Sequence, residues 1–434
     1  MHMPATGLQD PIVTAAWSGG DGSLSPDALA DLAARLWQRL APRQWPLPLE
    51  ALPAGTALVG GAVRDALLGR LQPRPDLDLV VPQGAIDLCR RLAARLDGSC
   101  VVLDPERDIA RLVLRGWTID LARCDGHDLS QDLRRRDFTA NAIALPLASG
   151  AVPLDPTGGL ADLARGRLVA VSEVNLLDDP LRLLRGLRLS CELDLPLDAA
   201  SRGWIHTHAA RLAEVAGERV LAEVEKLAGL PRGDRGLQAV MDARLLEPWG
   251  AASQPGLPLA GLGLQAAAER QLTPVETAAA LPLARLASLL DGPALAGLHA
   301  SRRLQQGCQR LRFWCGILHG SDGDLDRLEE AVRLQLQREL EHDLPALLLT
   351  LPLSGAGSAL MRWRDPADPL FHPRPPLDGH QLQGALALAP GRELGELLQH
   401  LMLERAFGRL PAGGEAAAAD AVAAARHWLA GRHD

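Results

Sequence analysis

The 434-residue chain contains no tyrosine, four phenylalanines and one lysine, Lys226, so nearly all of its 45 basic residues are arginines. So few aromatic rings argue against a protein that binds nucleic acid mainly by stacking bases on aromatic side chains. The formal net charge of −8 argues against indiscriminate coating of nucleic acid. A specific RNA or DNA site would therefore have to come from local clusters of arginine.

Metal-binding cysteine pairs and long apolar runs are also missing. The six cysteines, none of them in a Cys-x-x-Cys pair, are Cys89, Cys100, Cys124, Cys191, Cys308 and Cys315. No apolar run reaches membrane-spanning length, and no stretch before the cysteines has the pattern of a secretory signal peptide. We therefore expect free thiols in a cytoplasmic protein, with no zinc site and no membrane association.

The residue pattern changes along the chain and predicts more than one domain. Residues 1–24, rich in Gly, Ser, Thr and Pro, are predicted to be a flexible extension, after which Ser25 and Pro26 open a helix. Strand and helix patterns mix from Thr56 to about Leu147, whereas beyond about residue 165 Leu, Ala, Arg and Glu recur at helical spacing to the end. The predicted strands are Ala57–Val59, Leu77–Val81, Cys100–Leu103, Ala110–Leu114, Thr118–Ala122 and Ala142–Leu147, and the predicted helices among them are Ala62–Leu68 and Ala85–Leu96.

A double glycine followed by two aspartates is the most informative pattern. Gly60 and Gly61 follow a predicted strand and let backbone N–H groups approach a phosphate closely, because no Cβ intervenes. Asp76 and Asp78 stand two positions apart at the next strand, so their side chains share a face and can hold one divalent cation. Asp120, on a later strand, is the candidate third carboxylate. This equipment indicates metal-dependent nucleotidyl transfer, and the alternative for the aspartate pair is a turn with capping roles.

A run of arginines, Arg134, Arg135 and Arg136, lies between the last two predicted strands. Three adjacent guanidinium groups can meet a triphosphate or an RNA backbone. Asp137 and Asn141, which come next, offer acceptors and donors suited to ribose hydroxyls. The alternative is a solvated arginine run beside a strand.

A third motif lies in the helical region. Asp178, Arg182 and Arg185 are predicted to share one helical face, at spacings of four and three. Aspartate can accept from an exocyclic amine and arginine can donate to a ring nitrogen, a combination that cytosine and adenine satisfy and that guanine and uracil do not. The motif therefore predicts base selection, and the alternative is an ordinary N-cap at Asp179 followed by a first-turn proline.

Taken in order, these stretches resemble the bacterial class II tRNA nucleotidyltransferase and poly(A) polymerase family. The matching stretches are Leu58–Asp65 with Asp76 and Asp78 (the catalytic motif), Arg135–Ala142 (the ribose motif), Asp155–Leu160 (the head-to-neck hinge), Asp178–Arg182 (the amino-acid template for CTP and ATP) and Glu218–Leu227 (the last neck motif). The clear match covers about residues 56–230, and a weaker one spans Asp378–Gly408.

The resemblance implies an α+β fold, with a polymerase-β-like nucleotidyltransferase head over 25–165, an all-α neck over 166–230 and an all-α body and tail over 231–434. It implies attack of a tRNA 3′-hydroxyl on the α-phosphate of CTP or ATP, with pyrophosphate leaving. Asp76 and Asp78 would hold Mg²⁺, and Asp120 would help to activate the hydroxyl. The nucleotide would be bound by Gly60, Gly61, Arg64, Arg135, Arg136, Asp137, Asn141, Asp178, Asp179, Arg182 and Arg185, and the acceptor and TΨC arms of tRNA by the body and tail.

Two departures from the family pattern bear on specificity. Asp178 stands where the family usually has glutamate, which shortens the side chain by one methylene. Asp132 follows Asp120 by only 12 positions, whereas full CCA-adding relatives carry a longer flexible loop there that is linked to the switch from C to A. A short loop is typical of relatives that add only two cytidines, so the sequence favours CC addition over full CCA addition. An A-adding enzyme and a poly(A) polymerase of this family remain alternatives, although the latter tend to carry a basic tail that this acidic chain lacks.

Functions of two other classes stay open. A non-catalytic RNA-binding protein would be expected to lose Asp76 or Asp78, and both are present. A metal-dependent phosphohydrolase would build on His-Asp pairs, which occur here at His342-Asp343 and His433-Asp434 without the further histidines and aspartates of such a site. We expect both pairs to lie at the surface.

Overall fold

The computed structural model describes residues 10–16, 24–254, 256–319, 323–411 and 415–431. The chain divides into two compact units, Met1–Val215 and Ala216–Asp434. The strands are β1 (Ala57–Val59), β2 (Leu77–Val81), β3 (Ser99–Asp104), β4 (Ile109–Leu114), β5 (Trp117–Arg123) and β6 (Ala144–Pro146). The helices of the first unit are α1 (Ile12–Ala16), α2 (Pro26–Leu40), α3 (Gly61–Leu67), α4 (Ala85–Leu96), α5 (Leu129–Arg134), α6 (Gly159–Ala164), α7 (Glu173–Asp178), α8 (Leu181–Leu193) and α9 (Ala199–Thr207).

The six strands form one mixed sheet in the order β3-β4-β5-β2-β1-β6. The β2–β5 pair is parallel, and the other neighbouring pairs are antiparallel. Side chains alternate across each strand, so Ala110, Leu112 and Leu114 of β4 are buried on the face that α4 covers. The opposite face carries Asp78 and is covered at the β1 end by a cluster that includes Leu133 of α5. The face is therefore closed at one end and open towards β3.

Most of the sequence-predicted elements of the head match the structure. The ranges of β1, β2 and α4 coincide with the prediction, and Ser25 caps α2 by accepting from the backbone N–H of Ala28. The last strand was predicted over Ala142–Leu147, and in the structure it is β6, which comprises only Ala144–Pro146. Local hydrophobic periodicity predicts most of this sheet because every strand except the exposed edge strand β3 has buried side chains on at least one face.

The predicted flexible extension over 1–24 differs from the structure at residues 12–16, which form α1. Ile12 and Val13 are buried, and α1 packs on α2 and α6. This adjacent apolar pair supplies the burial that stabilises a helix too short to persist alone. Apart from residues 10, 11 and 24, the rest of the predicted extension lies outside the described residues.

Two glycines let helices approach the segment around Phe138 closely. A Cβ at Gly159, the first residue of α6, would lie 2.1 Å from the backbone oxygen of Thr139. A Cβ at Gly186 of α8 would lie 2.7 Å from Cζ of Phe138, whose ring is fully buried. The start of α6 is further fixed by Asp155, whose carboxylate accepts from the backbone N–H groups of Gly159 and Leu160. These contacts hold α6 and α8 against the segment that follows the arginine run.

The described residues of the second unit form helices and their connections, with no strand among them. Its helices are α10 (Gly217–Gly229), α11 (Gly233–Asp242), α12 (Leu264–Glu269), α13 (Pro274–Leu289), α14 (Gly292–Gly297), α15 (Arg302–His319), α16 (Glu330–Leu340), α17 (Leu344–Thr350), α18 (Leu353–Arg364), α19 (Gly379–Leu386), α20 (Arg392–Ala406) and α21 (Glu415–Ala430). The predicted neck, 166–230, crosses the division between the units, because α10 packs against α11 and α13 of the second unit. None of the helices in the described residues is long and apolar enough to span a bilayer.

The centre of the second unit contains a fully buried arginine. Arg285 of α13 donates from Nε to the carbonyl of Leu262 and from Nη1 to those of Ala228 and Leu230. A buried guanidinium is tolerated only when its N–H groups find acceptors. Near the C-terminus a separate apolar cluster contains Leu382, Leu397 and Leu401, so α19, α20 and α21 pack around a small core.

We predict that Gly159→Ala lowers the free energy of unfolding by about 1–3 kcal/mol, because the new methyl group must displace a backbone carbonyl rather than a mobile side chain. Chemical denaturation followed by circular dichroism measures the change. The matched control is Gly203→Ala within α9, where no atom lies within 4 Å of the added carbon. This control should leave stability unchanged or raise it by up to about 1 kcal/mol. Equal effects of the two substitutions would contradict the close-approach explanation.

Candidate active site

Three aspartates lie on or beside two neighbouring strands. Asp78 of β2 is the cross-strand partner of Asp120 of β5, so their side chains lie on the same face about 4.8 Å apart along the sheet. Asp76 stands two residues before Asp78, outside the strand, and is exposed. The structure therefore brings Asp78 and Asp120 together on a strip formed by the two central strands of the sheet, with Asp76 just before that strip in the chain.

The double glycine lies directly over this strip. Gly60 has a positive φ of 75°, a conformation that favours glycine. A Cβ at Gly60 would lie 2.9 Å from Oδ2 of Asp78 and 3.7 Å from Nη1 of Arg136. Gly61 begins α3 immediately after this turn. Glycine at position 60 thus allows the backbone to pass close to the carboxylate of Asp78.

Burial raises the pKa of Asp78 to about 6. Arg136 opposes this effect, whereas the negative charges of Asp120 and Asp76 add to it. Concentrated negative charge in a half-buried site is relieved by a bound cation, as well as by a bound proton. The arrangement therefore fits a divalent cation held by carboxylates.

Asp120 is held by an arginine that the sequence did not single out. Arg111 of β4, its cross-strand partner, donates from Nε to Oδ1 at 2.7 Å and from Nη2 to Oδ2 at 2.8 Å. Within the described ranges, no three His, Cys, Asp or Glu side chains are grouped closely enough to hold a metal ion. Both oxygens of Asp120 already have partners in the bidentate pair with Arg111. Mg²⁺ is commonly bound by one or two carboxylates together with substrate phosphates and water, so Asp76 and Asp78 are a sufficient protein contribution.

Four predicted nucleotide-binding residues form one hydrogen-bonded chain. Buried Arg64 donates from Nη1 to Oδ1 of Asn141 at 2.7 Å, and Asn141 donates from Nδ2 to Oδ1 of Asp137 at 3.3 Å. Arg185 of α8 lies 3.1 Å from Oδ2 of Asp137. Burial raises the pKa of Asp137, but Arg185, the backbone N–H of Phe138 and Arg182 outweigh it and hold the pKa below its ordinary value. The carboxylate of Asp137 is thus ionised, and both of its oxygens have partners.

The three side chains of the arginine run have different surroundings. Arg134 and Arg135 are exposed, and Arg135 pairs with exposed Asp125 at 2.8 Å. Arg136 is less exposed, donates to Oδ2 of Asp132 and lies beside Gly60. Of the three, Arg136 therefore lies beside the turn that passes over Asp78, and its charge lowers the pKa of that carboxyl.

The third motif is divided between two helices. Asp178 is the last residue of α7 and is exposed, Asp179 is extended, and α8 begins after Pro180. The prediction that Asp178 shares a helical face with Arg182 and Arg185 is therefore wrong. The physical reason is that proline disfavours helical backbone in the residue before it, here Asp179. Arg182 and Arg185 do share α8, and the carboxylate of Asp179 accepts from the N–H of Leu181 at 3.3 Å.

Arg182 also ties α8 to the arginine run. Its Nη1 donates to the carbonyls of Arg135 at 3.1 Å and Asn175 at 2.8 Å. Asn175 of α7 in turn donates to the carbonyls of Arg134 and Arg136. The carbonyls of residues 134–136 thus all accept hydrogen bonds from Asn175 or Arg182. These bonds hold the template motif, Asp178–Arg182, next to the ribose motif, Arg135–Ala142.

The sequence and the fold match a known family. The model of the poly A polymerase head domain matches residues 56–169. A CC-adding tRNA nucleotidyltransferase of Synechocystis is 37% identical over 390 residues, which cover 85% of this chain and 93% of the relative. The chain belongs to the class II tRNA nucleotidyltransferase family. A CC-adding tRNA nucleotidyltransferase of Thermus thermophilus is 32% identical over 419 residues, with 86% and 93% covered. The fold is also that of the Thermotoga maritima CCA-adding enzyme complexed with tRNA, with a TM-score of 0.64 at 18% identity over 96% of this chain and 98% of that one.

Membership of this nucleotidyltransferase family confirms the predicted α+β fold with its polymerase-β-like head. The sequence did not predict Arg111 or Asn175, because each acts through a partner that is distant along the chain. Alternation on β4 was the only local signal for Arg111, and it does not distinguish a solvated arginine from one that pairs with Asp120. Asn175 carries no sequence signal beyond its position just before the template motif.

The His-Asp pairs form no second site in the described residues. His342 is exposed, and Asp343 pairs with Arg310 at 3.4 Å. The other pair, His433-Asp434, lies outside the described residues. The described pair thus gives no support to a phosphohydrolase.

We predict that Asp78→Asn stabilises the metal-free protein above pH 6. Folding raises the pKa of Asp78 from 3.8 to about 6, so the folded state binds the proton more tightly than the unfolded chain. Stability contributed by the protonated carboxyl is therefore lost as the pH rises from about 4 to about 6, and the asparagine variant avoids that loss. The expected gain is on the order of 2 kcal/mol at pH 7 and vanishes near pH 4.

Denaturant unfolding in buffer containing a metal chelator measures the gain at both pH values. Asp97→Asn is the control, because Asp97 is exposed and has a left-handed conformation that asparagine tolerates. A gain in stability that is the same at pH 4 and pH 7 would rule out the titration of Asp78 as its cause.

Proposed function

We propose that this chain transfers CMP from CTP to the 3′ end of tRNA and stops after two additions. In the reaction, the terminal ribose hydroxyl of the tRNA attacks the α-phosphate of CTP. The new phosphodiester bond replaces the bond to the β-phosphate, and pyrophosphate leaves. Support comes from the carboxylate strip, from family membership and from the CC-adding names of the two relatives aligned over most of the chain.

We assign Mg²⁺ to Asp76 and Asp78. When bound, the ion would supply Lewis-acid stabilisation of the charge that develops on the phosphates. The backbone at Gly60 and Gly61 lets the triphosphate approach, because no Cβ stands between it and Asp78. Asp120 would accept the proton of the attacking hydroxyl or orient that hydroxyl.

The hydrogen bonds that join Arg64, Asn141, Asp137 and Arg185 indicate the role of each residue. Arg64 has Nε bound to Asp65 and Nη1 bound to Asn141, which leaves Nη2 beside Gly61 as the group that would face the triphosphate. Because both oxygens of Asp137 are engaged, we propose that it orients Asn141 and Arg185 for the nucleotide as well as accepting from the ribose. Arg136, beside Gly60, and exposed Arg135 would supply positive charge for the triphosphate.

One observation carries the restriction to CC: the connection between β5 and α5 is short and internally bound. It comprises residues 124–128, and the N–H of Cys124 donates to the carbonyl of Val81 at 2.8 Å. The N–H groups of Asp125 and His127 donate to side chains of α5. Full CCA-adding relatives carry a longer flexible loop here, and this segment has neither the length nor the unbound backbone for such a loop.

Base selection is assigned to Asp179 and Arg182. Nη1 of Arg182 is used by backbone carbonyls, but its Nε and Nη2 have no partner in the described part of the chain. Those groups would donate to the bare ring nitrogen of cytosine, and Asp179 would accept from the exocyclic amine. Exposed Asp178, at the end of α7, would contribute negative charge nearby without contacting the base. Body and tail helices of the second unit would bind the tRNA acceptor and TΨC arms.

The first experiment uses three tRNA transcripts that end at the discriminator base, in C and in CC. Each is incubated with Mg²⁺ and labelled CTP or ATP, and products are resolved to single nucleotides. We expect addition of two, one and no CMP respectively, with no AMP added to the transcript that ends in CC. AMP addition to that transcript would refute the restriction to CC, and addition of AMP alone would indicate an A-adding enzyme.

Two aspartate variants test whether transfer occurs at this site. Asp78→Asn should reduce transfer by at least about a thousandfold, because a cation ligand is lost. Asp97→Asn, which removes an exposed carboxylate of the same unit, should leave the rate unchanged. Tight tRNA binding without any transfer by the unmodified chain would instead support a non-catalytic RNA-binding protein.

Adjacent aspartates offer a matched test of base selection. Asp179→Ala should lower the preference for CTP over UTP by roughly a hundredfold, because the acceptor for the exocyclic amine is lost. Asp178→Ala should leave the preference unchanged. The ratio of kcat/KM for the two nucleotides is the measurement. An equal loss in both variants would contradict the separation of their roles.

A further inference from the structure

An open part of the catalytic sheet face lies beside the carboxylates. Asp120 pairs across the strands with Arg111, and Arg111 pairs with Val101 of β3. Directly paired residues share a face, so Asp78, Asp120, Arg111 and Val101 form one row across four strands. At about 4.8 Å per strand, the row is about 14 Å long.

Two valines beside Arg111 are exposed although they lie in regular strands. Val101 is 49% exposed and Val113 is 41% exposed. Val113 stands two positions after Arg111 on β4 and therefore shares its face. On the opposite face, against which α4 packs, β4 is buried at Ala110, Leu112 and Leu114, whereas Val102 of the edge strand β3 is 39% exposed. We call Val101 and Val113 the valine shelf.

Arg111 has one edge free for a further anion. Its Nε and Nη2 are bound to Asp120, but Nη1 has no partner in the described residues, and the side chain is 43% exposed. Guanidinium groups can bind a carboxylate along one edge and a phosphate along another, because five N–H groups lie in one plane. Arg111 can therefore hold Asp120 and bind a second anion together.

The groups along this row occur in the order in which an RNA 3′ end would meet them. The carboxylates would meet the reacting hydroxyl, the free edge of Arg111 lies one strand further out, and the valine shelf lies beside and beyond it. An RNA strand running outwards presents its terminal hydroxyl, then a phosphodiester, then the apolar face of a base. We propose that Arg111 binds the last phosphodiester of the acceptor RNA and that the valine shelf contacts the adjoining base. This assignment rests on the proposed transfer to RNA and specifies where its acceptor lies.

The test uses the full chain, CTP, and tRNA that ends at the discriminator base. Arg111→Gln should raise KM for tRNA roughly tenfold, leave KM for CTP within about twofold, and reduce the salt dependence. Loss of one single-strand phosphate contact should lower the slope of log KM against log salt by about 0.7. Arg111→Lys keeps the charge and should restore most of that slope.

The shelf is tested by the double variant Val101→Thr with Val113→Thr. It should raise KM for tRNA roughly fivefold with an unchanged salt slope, because an apolar contact is not screened by ions. Val102→Thr is the matched control, since Val102 is also partly exposed but pairs with buried Ala110 on the opposite face. This control should change neither KM.

The outcomes separate the inference from the function on which it rests. If the unmodified chain transfers no CMP, the proposed function fails. If it transfers CMP and Arg111→Gln lowers only kcat with an unchanged salt slope, Arg111 merely holds Asp120 and the phosphate assignment is overturned. An effect of Val102→Thr equal to that of the double variant would overturn the assignment of the shelf.

Discussion

The parallel pairing of β2 with β5 is the constraint on which the rest of the site depends, because it sets Asp78 beside Asp120. Two carboxylates one strand apart repel each other, and burial of Asp78 increases the free-energy cost of that arrangement. The surrounding cations are arranged accordingly. Arg111 takes both oxygens of Asp120, while Arg136 lies on the other side near Gly60 and lowers the cost of ionising Asp78.

A second set of buried interactions joins the parts that we assign to phosphate, ribose and base. Arg64, Asn141, Asp137 and Arg185 are linked one to the next, so α3 and α8 share one polar network. Such a network is stable only when its members are satisfied together, and removal of one member leaves others unpaired. Gly186 maintains the close contact of α8 with Phe138, next to Asp137. Geometry at the base-selecting helix is therefore coupled to geometry at the triphosphate.

Much of this arrangement is predictable from the sequence, because strand alternation places Asp78 and Asp120 on one face and the glycines at the start of α3 mark a close approach, whereas Asp76 lies outside the strand on which the prediction placed it. What escapes prediction depends on register between distant segments. The pairing of Arg111 with Asp120 requires knowing how β4 lies against β5, and the role of Asn175 requires knowing which carbonyls face α7. The wrong prediction that Asp178 shares a helix with Arg182 has a different cause. The sequence Asp179-Pro180 does signal a helix break, but the spacing of the charged residues alone suggests one continuous helix.

The five-residue connection between β5 and α5 also bears on how such an enzyme can change. Both of its ends are anchored, at Cys124 by the carbonyl of Val81 and at Asp128 by its capping of α5. Doubling the length of a surface loop costs only about 0.6 kcal/mol in closure entropy, so extra residues near Gly126 would leave the sheet and α5 nearly as stable as before. On the function proposed above, the segment assigned to nucleotide choice is thus separable from the site of catalysis, because residues can be inserted there without rebuilding the core.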